Sequence, residues 1–186
     1  MNKKQMKYEN PLRLKELNPM VTLTRIGLQD NQVLCDIGAG SGIFTIPAAK
    51  ITKNKVFALE INDEMLALIG EKAKNENIEN IELIHVQENK FDLEDNSVDI
   101  VLMVTVLHEI ENPKIFLKEI KRVVKENGKV AIIEFFKRET PMGPSVDHRM
   151  EKEEVIRLLY TIGMEVYEEF VLGDNFYCVV FQEKVS

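Results

Sequence analysis

The sequence predicts an α/β fold: an open, mostly parallel, doubly wound sheet that finishes in an antiparallel hairpin. Three observations carry this expectation. An apolar run, Val33-Leu34-Cys35-Asp36-Ile37, enters a loop with glycine at every second position (Gly38, Gly40, Gly42) and then a helix start with Pro47 near its first turn, where a missing N–H costs little. Short β-type runs and amphipathic helical runs then alternate, as parallel strands joined by crossover helices require. The last two β-type runs are instead joined by Gly173-Asp174-Asn175 alone, a connection that suits an antiparallel turn and not a crossover.

The 186 residues, 45% of them apolar, suffice for one sizeable core and are read as a single domain over 1–186. Within it, 1–10 are polar, 11–28 form an N-terminal helical segment and 29–186 hold the α/β core. Lys and Arg number 24 against 31 Asp and Glu, a formal charge of −7. No global basic field is available to hold a polyanion, so nucleic acid is not expected as a partner. The two cysteines, Cys35 and Cys178, lie in apolar strand-like runs, which suits buried reduced thiols; no disulfide framework or metal site is expected. The basic N-terminus leads into no apolar signal core, and no run of ~18 apolar residues occurs, so the expectation is a cytoplasmic protein without a membrane span.

From Pro11 to Gly27, Leu12, Leu14, Leu17, Leu23 and Ile26 recur at helical spacing interrupted by Asn18-Pro19, giving one broken helix or two short ones. Residues 1–10 either stay disordered or fold over the site as a lid, with Tyr8 the residue to watch. After the opening strand and its helix, Lys55 to Ile61 is a second strand, and Asn62 or Asp63 caps a helix carrying Met65, Leu66, Leu68 and Ile69. A third strand, Ile81 to Val86, runs into the polar loop Gln87-Glu88-Asn89-Lys90. The almost unbroken apolar run Val98 to Val104 reads as a strand covered on both faces. It leads through Thr105-Val106-Leu107-His108-Glu109 to a helix capped by Asn112, opened by Pro113 and stopped by Gly128, with Phe116, Leu117, Ile120, Val123 and Val124 on one face. The fifth strand is Val130 to Phe135. A loop over 137–149, rich in breakers and charge, precedes a helix from about Glu151 to Ile162 with Gly163 as its stop. The strands Glu165 to Leu172 and Phe176 to Phe181 complete the chain.

Ligands of open parallel sheets lie outside the carboxyl ends of the strands. Glu60 closes the second strand 22 positions beyond Gly38, a spacing at which an acid faces the ribose of a nucleotide-like ligand and accepts from two vicinal hydroxyls. The alternative is that Glu60 only serves the start of the next helix. Glu88 or Asn89 is placed to meet the polar edge of an adenine ring, unless their loop is simply solvated. The glycine pattern is not the dinucleotide fingerprint, which would need glycine at position 43, where Ile43 stands. Asp36, two residues before Gly38, would oppose a pyrophosphate; it suits a cationic ligand carrying an ammonium and a sulfonium, met directly or through water.

With these residues in place the chain resembles the class I S-adenosylmethionine-dependent methyltransferases, most closely the small group that includes the quinone-biosynthesis methyltransferases. The resemblance runs from about residue 20 to the C-terminus. It rests on Asp36-Ile37-Gly38-Ala39-Gly40-Ser41-Gly42, Glu60, Glu88-Asn89, Asp95-Asn96-Ser97-Val98-Asp99 and Leu107-His108-Glu109-Ile110. It implies a Rossmann-like sheet of seven strands with the last inserted antiparallel, and S-adenosylmethionine as cofactor. Gly38, Ala39 and Gly40 would then approach the methionine part, Glu60 would hold the ribose and Glu88 or Asn89 would meet adenine. Ile61, beside Glu60, and Met103, near the end of the fourth strand, are counted with Asp36 among the cofactor-binding positions.

A methyl group on a sulfonium is already electrophilic, so alignment of a nucleophile and exclusion of water are the protein's main tasks. For a hydroxyl or carbon acceptor a general base helps, and His108 is the candidate; the alternative is a histidine satisfying a loop carbonyl or helix terminus. His148 and Arg149 are candidates for holding an anionic substrate, set against an ordinary solvated loop, and His85 reads as packing. Two cysteines are too few for a soft, arsenite-type acceptor. The expectation is methyl transfer to a small-molecule acceptor, recognised by the N-terminal segment, the 137–149 loop or a second subunit of a homodimer. The alternatives are a nicotinamide-dependent reductase on a Rossmann-like sheet and a non-catalytic module that binds S-adenosylmethionine.

Overall fold

The computed structural model describes residues 5, 8–86 and 90–184. The elements in chain order are α1 (Pro11–Leu17), α2 (Pro19–Arg25), β1 (Leu34–Ile37), α3 (Thr45–Ile51), β2 (Val56–Glu60), α4 (Asp63–Asn75), β3 (Ile81–His85), β4 (Val98–Val104), α5 (Pro113–Val123), β5 (Val124–Phe135), α6 (Lys152–Tyr160), β6 (Met164–Leu172) and β7 (Phe176–Glu183). The strands of the described residues form one seven-stranded sheet in the order β3-β2-β1-β4-β5-β7-β6. β1 to β5 pair in parallel, and β7 is antiparallel to both β5 and β6.

Asn18 divides the N-terminal segment. It sits in the left-handed region at φ 37°, ends α1 and is followed by Pro19 at the first position of α2, so the predicted break gives two short helices. Asn10 caps α1, its side-chain oxygen accepting from Leu12 N and Arg13 N. α1 and α2 bury Leu17, Leu23 and Ile26 against the sheet face that carries Leu34, Ile100, Leu102, Ala131 and Ile133. The alternate residues Cys35, Val101, Met103, Val130 and Ile132 point to the opposite face, where Phe116, Leu117 and Ile120 of α5 and Val155 and Leu159 of α6 cover them. This period of two is why β4 is apolar throughout: both of its faces are core. Fully burying such a side chain stabilises by roughly 1.5–3 kcal/mol.

One boundary differs from expectation. α5 ends at Val123, not at Gly128, because β5 pairs with β4 from Val124 and carries an irregularity between Val98 and Ile100. Gly128 lies inside that irregular stretch, where an added Cβ would stand 3.0 Å from the Asp99 carbonyl oxygen and 2.7 Å from Val124 Cγ2. The glycine therefore serves close backbone approach in the strand and does not end the helix.

Candidate active site

The chain runs outward from β1 through β2 to β3, then returns to lay β4 on the other side of β1. That reversal opens a crevice at the carboxyl ends of the strands. A cleft of about 1200 Å³ lies there, walled by the loops after β1, β2 and β4, by Tyr8, Asn10 and Arg13, and by Met142, Gly143 and Pro144 of the 137–149 loop.

On the β1–β2 side the glycine loop is held by backbone. Gly38 N and Ala39 N both donate to Leu59 O, at 2.8 and 3.0 Å. Gly38 has φ +70°, and a Cβ there would stand 2.4 Å from Val106 Cγ2, so only glycine lets the loops after β1 and β4 approach this closely. Glu60 braces the same loop: its Oε2 accepts from Gly40 N at 2.8 Å, its Oε1 from Ile61 N and Asn62 N at 3.0 and 3.1 Å. A carboxylate offers about four acceptor directions, so capacity remains on the side that lines the cleft. The alternative role of Glu60, service to the next helix start, is met in part: it bonds Asn62 N, while the cap itself is Asn62, which accepts from Glu64 N and Met65 N. Asp36 lies beneath, buried and accepting from Thr45 Oγ1 at 2.6 Å. Burial pushes its carboxyl up to about 7 against that hydrogen bond, and Glu60 adds to the rise.

Ile61 stands at the lip of the cleft, 73% exposed. Met103 is the exception among the expected residues. It is fully buried in the core beneath α5, because the strand's alternation sends it away from the rim, and Val104 and Thr105 line the cleft instead. Glu88 and Asn89 lie outside the described residues. Tyr8 sits over the glycine loop, its ring carbons 3.5 Å from where a Gly40 Cβ would be. Lys72 ties this segment down, pairing with Glu9 at 2.6 Å while donating to Ser41 O at 2.7 Å. Burial, then the charges of Glu60 and Glu109, push the Tyr8 phenol up.

The β4–β5 side is built differently. A 3-10 turn over Leu107–Glu109 brings His108 against Glu134 of β5: Nδ1 lies 2.8 Å from Oε2, and His108 N donates to Oε1 at 3.3 Å. Both side chains are buried, at 5% and 2% exposure. Arg13 of α1 reaches the same side, only 7% exposed, between the rings of Phe135 and Phe176, with its Nη2 donating to Thr105 Oγ1 at 3.0 Å. Burial lowers its guanidinium to about 10. Sequence reasoning missed Glu134 and Arg13. The available signals were an acid inside the apolar run Val130 to Phe135 and an arginine four positions before the buried Leu17, on its helical face.

The mouth-loop candidates are corrected. Arg149 does not line the cleft: its Nε, Nη1 and Nη2 donate to the carbonyls of Pro144, Phe136, Arg138 and Met142, stapling the 137–149 loop together. His148 pairs with Ser145 Oγ at 2.8 Å. His85 is not a packing residue, since its Nδ1 lies 2.5 Å from Asp63 Oδ1. Cys35 and Cys178 are free and buried.

The methyltransferase domain family matches residues 35–132. Over 94% of both chains, the fold superposes with a TM-score of 0.88 and 31% identity on the crystal structure of an S-adenosylmethionine-dependent methyltransferase from Aquifex aeolicus. The chain belongs to the class I S-adenosylmethionine-dependent methyltransferases. A putative type 11 methyltransferase from Sulfolobus solfataricus is similar over 83% of this methyltransferase and 85% of that chain, with TM-score 0.72 and 25% identity. The demethylmenaquinone methyltransferase of Geobacillus sp. strain WCH70 is 30% identical over 115 residues, 61% of this chain and 49% of that one. The methyltransferase thus spans about half the length of the curated relatives it matches. Family membership sets aside the nicotinamide reading.

The cofactor of the methyltransferase is S-adenosylmethionine, and the residues of the cleft fit it. Gly38 keeps the floor open where a side chain would intrude on Val106, and Gly40, at φ +53°, holds a left-handed turn beneath the Tyr8 ring. A carboxyl at the Asp36 position, held near neutrality by burial, gains an ionic partner when a cation binds above it. No helix among the described residues is long and apolar enough to cross a membrane.

Proposed function

We propose that this methyltransferase moves the S-methyl group of S-adenosylmethionine to a nucleophilic oxygen or carbon of a small-molecule acceptor, with His108 as general base. The observation that carries the reading is the buried His108–Glu134 pair, whose histidine lines the cleft. The cofactor supplies an electrophilic methyl and a good leaving group. Asp36, Gly38, Ala39, Gly40, Glu60 and Ile61 are assigned to its binding, and the backbone bonds that fix Glu60 preorganise that half before it arrives. Glu134, accepting Nδ1–H, makes Nε2 the basic nitrogen and stabilises the imidazolium formed once His108 takes the acceptor's proton. Tyr8 and the Met142–Pro144 corner exclude water from above. The cleft is larger than the roughly 300–1,000 Å³ of a single-ligand pocket, which suits a cofactor and an acceptor side by side. The name of the Geobacillus relative favours a quinone-type acceptor.

The test is release of S-adenosylhomocysteine with reduced demethylmenaquinone as the first acceptor. His108→Ala should lower turnover by roughly 10²–10⁴-fold while S-adenosylmethionine affinity stays within twofold. Unchanged turnover removes the base; binding without turnover on any small acceptor leaves a non-catalytic S-adenosylmethionine-binding module.

A further inference from the structure

Two arginines of this protein are buried, Arg13 at 7% and Arg149 at 5% exposure, and they are treated very differently. Arg149 spends its guanidinium on backbone carbonyls. Arg13 makes one hydrogen bond to a described residue, from Nη2 to Thr105 Oγ1, and its Nε is fully buried with no partner among the described residues. No described carboxylate lies within ion-pair distance of it; the rings of Phe135 and Phe176 flank it, and the charge of the nearby Glu134 carboxylate acts on its guanidinium without a hydrogen bond between them. A buried cation left with unused donors is costly unless an anion arrives to take them.

The position of Arg13 says where that anion sits. It lines the cleft, and its neighbours are Thr105 at the end of β4, Phe135 at the end of β5 and Phe176 at the start of β7. These lie at the ends of strands, of which β4 leads into His108 and β5 carries Glu134, and Tyr8, which interacts with Arg13, reaches from there over Gly40. The walls beside it, Val104, Phe135 and Met142, are apolar.

We infer that Arg13 anchors the methyl acceptor through a carboxylate on an otherwise apolar molecule, received by the unused edge of the guanidinium. A planar carboxylate matches the arginine fork, and the apolar walls take the body attached to it. The inference rests on the cofactor occupying the Glu60 half, as proposed above.

The experiment titrates benzoate and its neutral counterpart benzamide into protein saturated with S-adenosylhomocysteine, for wild type, Arg13→Gln and Arg13→Lys. Benzoate should bind wild type at least tenfold more tightly than benzamide does. Arg13→Gln should lose that preference, Arg13→Lys, which keeps the charge without the planar fork, should still prefer benzoate over benzamide while binding it more weakly than wild type does, and S-adenosylhomocysteine affinity should stay within twofold throughout. Absence of benzoate binding to the loaded wild type, or equal binding in Arg13→Gln, overturns the inference. It is also overturned if Arg13→Gln weakens S-adenosylhomocysteine tenfold yet leaves 5′-methylthioadenosine unaffected, since the cofactor's own carboxylate would then occupy the fork. Should Arg13→Gln fail to fold, Arg13→Lys decides: benzoate bound as tightly as by wild type, or no preference for benzoate over benzamide, overturns the inference, and a weakened but retained preference supports it. Failure of S-adenosylhomocysteine to bind wild type would instead sink the functional reading beneath it.

Discussion

Glu60→Gln separates the two tasks assigned to one side chain. The carboxylate serves three backbone N–H groups, Gly40 N through Oε2 and Ile61 N and Asn62 N through Oε1. An amide of the same shape has one accepting atom. Turned to keep Ile61 and Asn62, it presents its NH₂ to Gly40 N, leaving a buried donor facing a donor, at about 1–3 kcal/mol. The same change removes the charge that would receive the ribose hydroxyls. Hydrogen bonds to a charged group contribute about 1.5–3 kcal/mol, so affinity for S-adenosylhomocysteine should fall roughly 10- to 150-fold. Calorimetric titration measures the affinity, and a thermal melt of the unliganded protein measures the brace. Both should drop, the melt in Glu60→Ala at least as much as in Glu60→Gln. An affinity within twofold of wild type, with the melt lowered, would refute the cofactor role and leave Glu60 a structural brace alone.

Gly38→Ala places a methyl 2.4 Å from Val106 Cγ2 at φ +70°; strain and overpacking together should cost about 2–5 kcal/mol and weaken the cofactor, with Val106→Ala recovering part of both. Wild-type affinity in Gly38→Ala would show that the loops do not need this approach. Asp36 gives a pH signature. Its folded carboxyl titrates near 7 against 3.8 as the reference, so the fold holds the proton more tightly, and the associated stability is full below about pH 4 and lost as pH rises through 7, by up to about 4 kcal/mol. Asp36→Asn should therefore gain on wild type in denaturant melts between pH 4 and 7 and keep a constant lead above; parallel curves would contradict this. Near pH 7 a sulfonium favours the Asp36 anion, so S-adenosylmethionine binding should release more protons than S-adenosylhomocysteine binding, seen as a larger dependence of calorimetric enthalpy on buffer.

The sheet was legible because its physics is local: the glycine-rich turn and the strand–helix alternation leave few arrangements, and Asn18-Pro19 breaks a helix in any context. Gly128 misled because glycine marks helix ends and close-packed strand irregularities alike, and only the pairing of Val98 with Val124 distinguishes them. Met103 was misplaced by one residue of alternation, since both faces of β4 are apolar and the sequence carries no phase. That Asp36, Gly38 and Glu60 line one cleft was legible because their spacing encodes geometry within a single βαβ unit. The places of Glu134 and Arg13 were not, because each takes its role from a residue far along the chain: Glu134 from His108, 26 positions away, and Arg13 from Thr105, 92 away.

Thr105 connects these distant pieces. Among the described non-glycine residues with positive φ, Asn18, Asn77 and Asn96 are of the type that tolerates it, whereas Thr105, at φ 56°, is β-branched. Such a conformation costs of order 1–3 kcal/mol and persists only where its surroundings over-determine it. Two contacts do so here: Thr105 N donates to Ile133 O at 2.7 Å, and Thr105 Oγ1 accepts from Arg13. Glycine would make the same turn with less strain, so the hydroxyl is what threonine adds. The turn directs the chain from β4 into the 3-10 segment that sets His108 against Glu134, and the hydroxyl orients Arg13 beside it. A strained residue, a buried cation with unused donors and a buried imidazole–carboxylate pair each cost stability that the apolar core does not require. Arg13 and Glu134 offset part of that cost for one another, since the Glu134 charge acts on the guanidinium, and under the proposed function an acceptor's carboxylate and proton would be met on this same side.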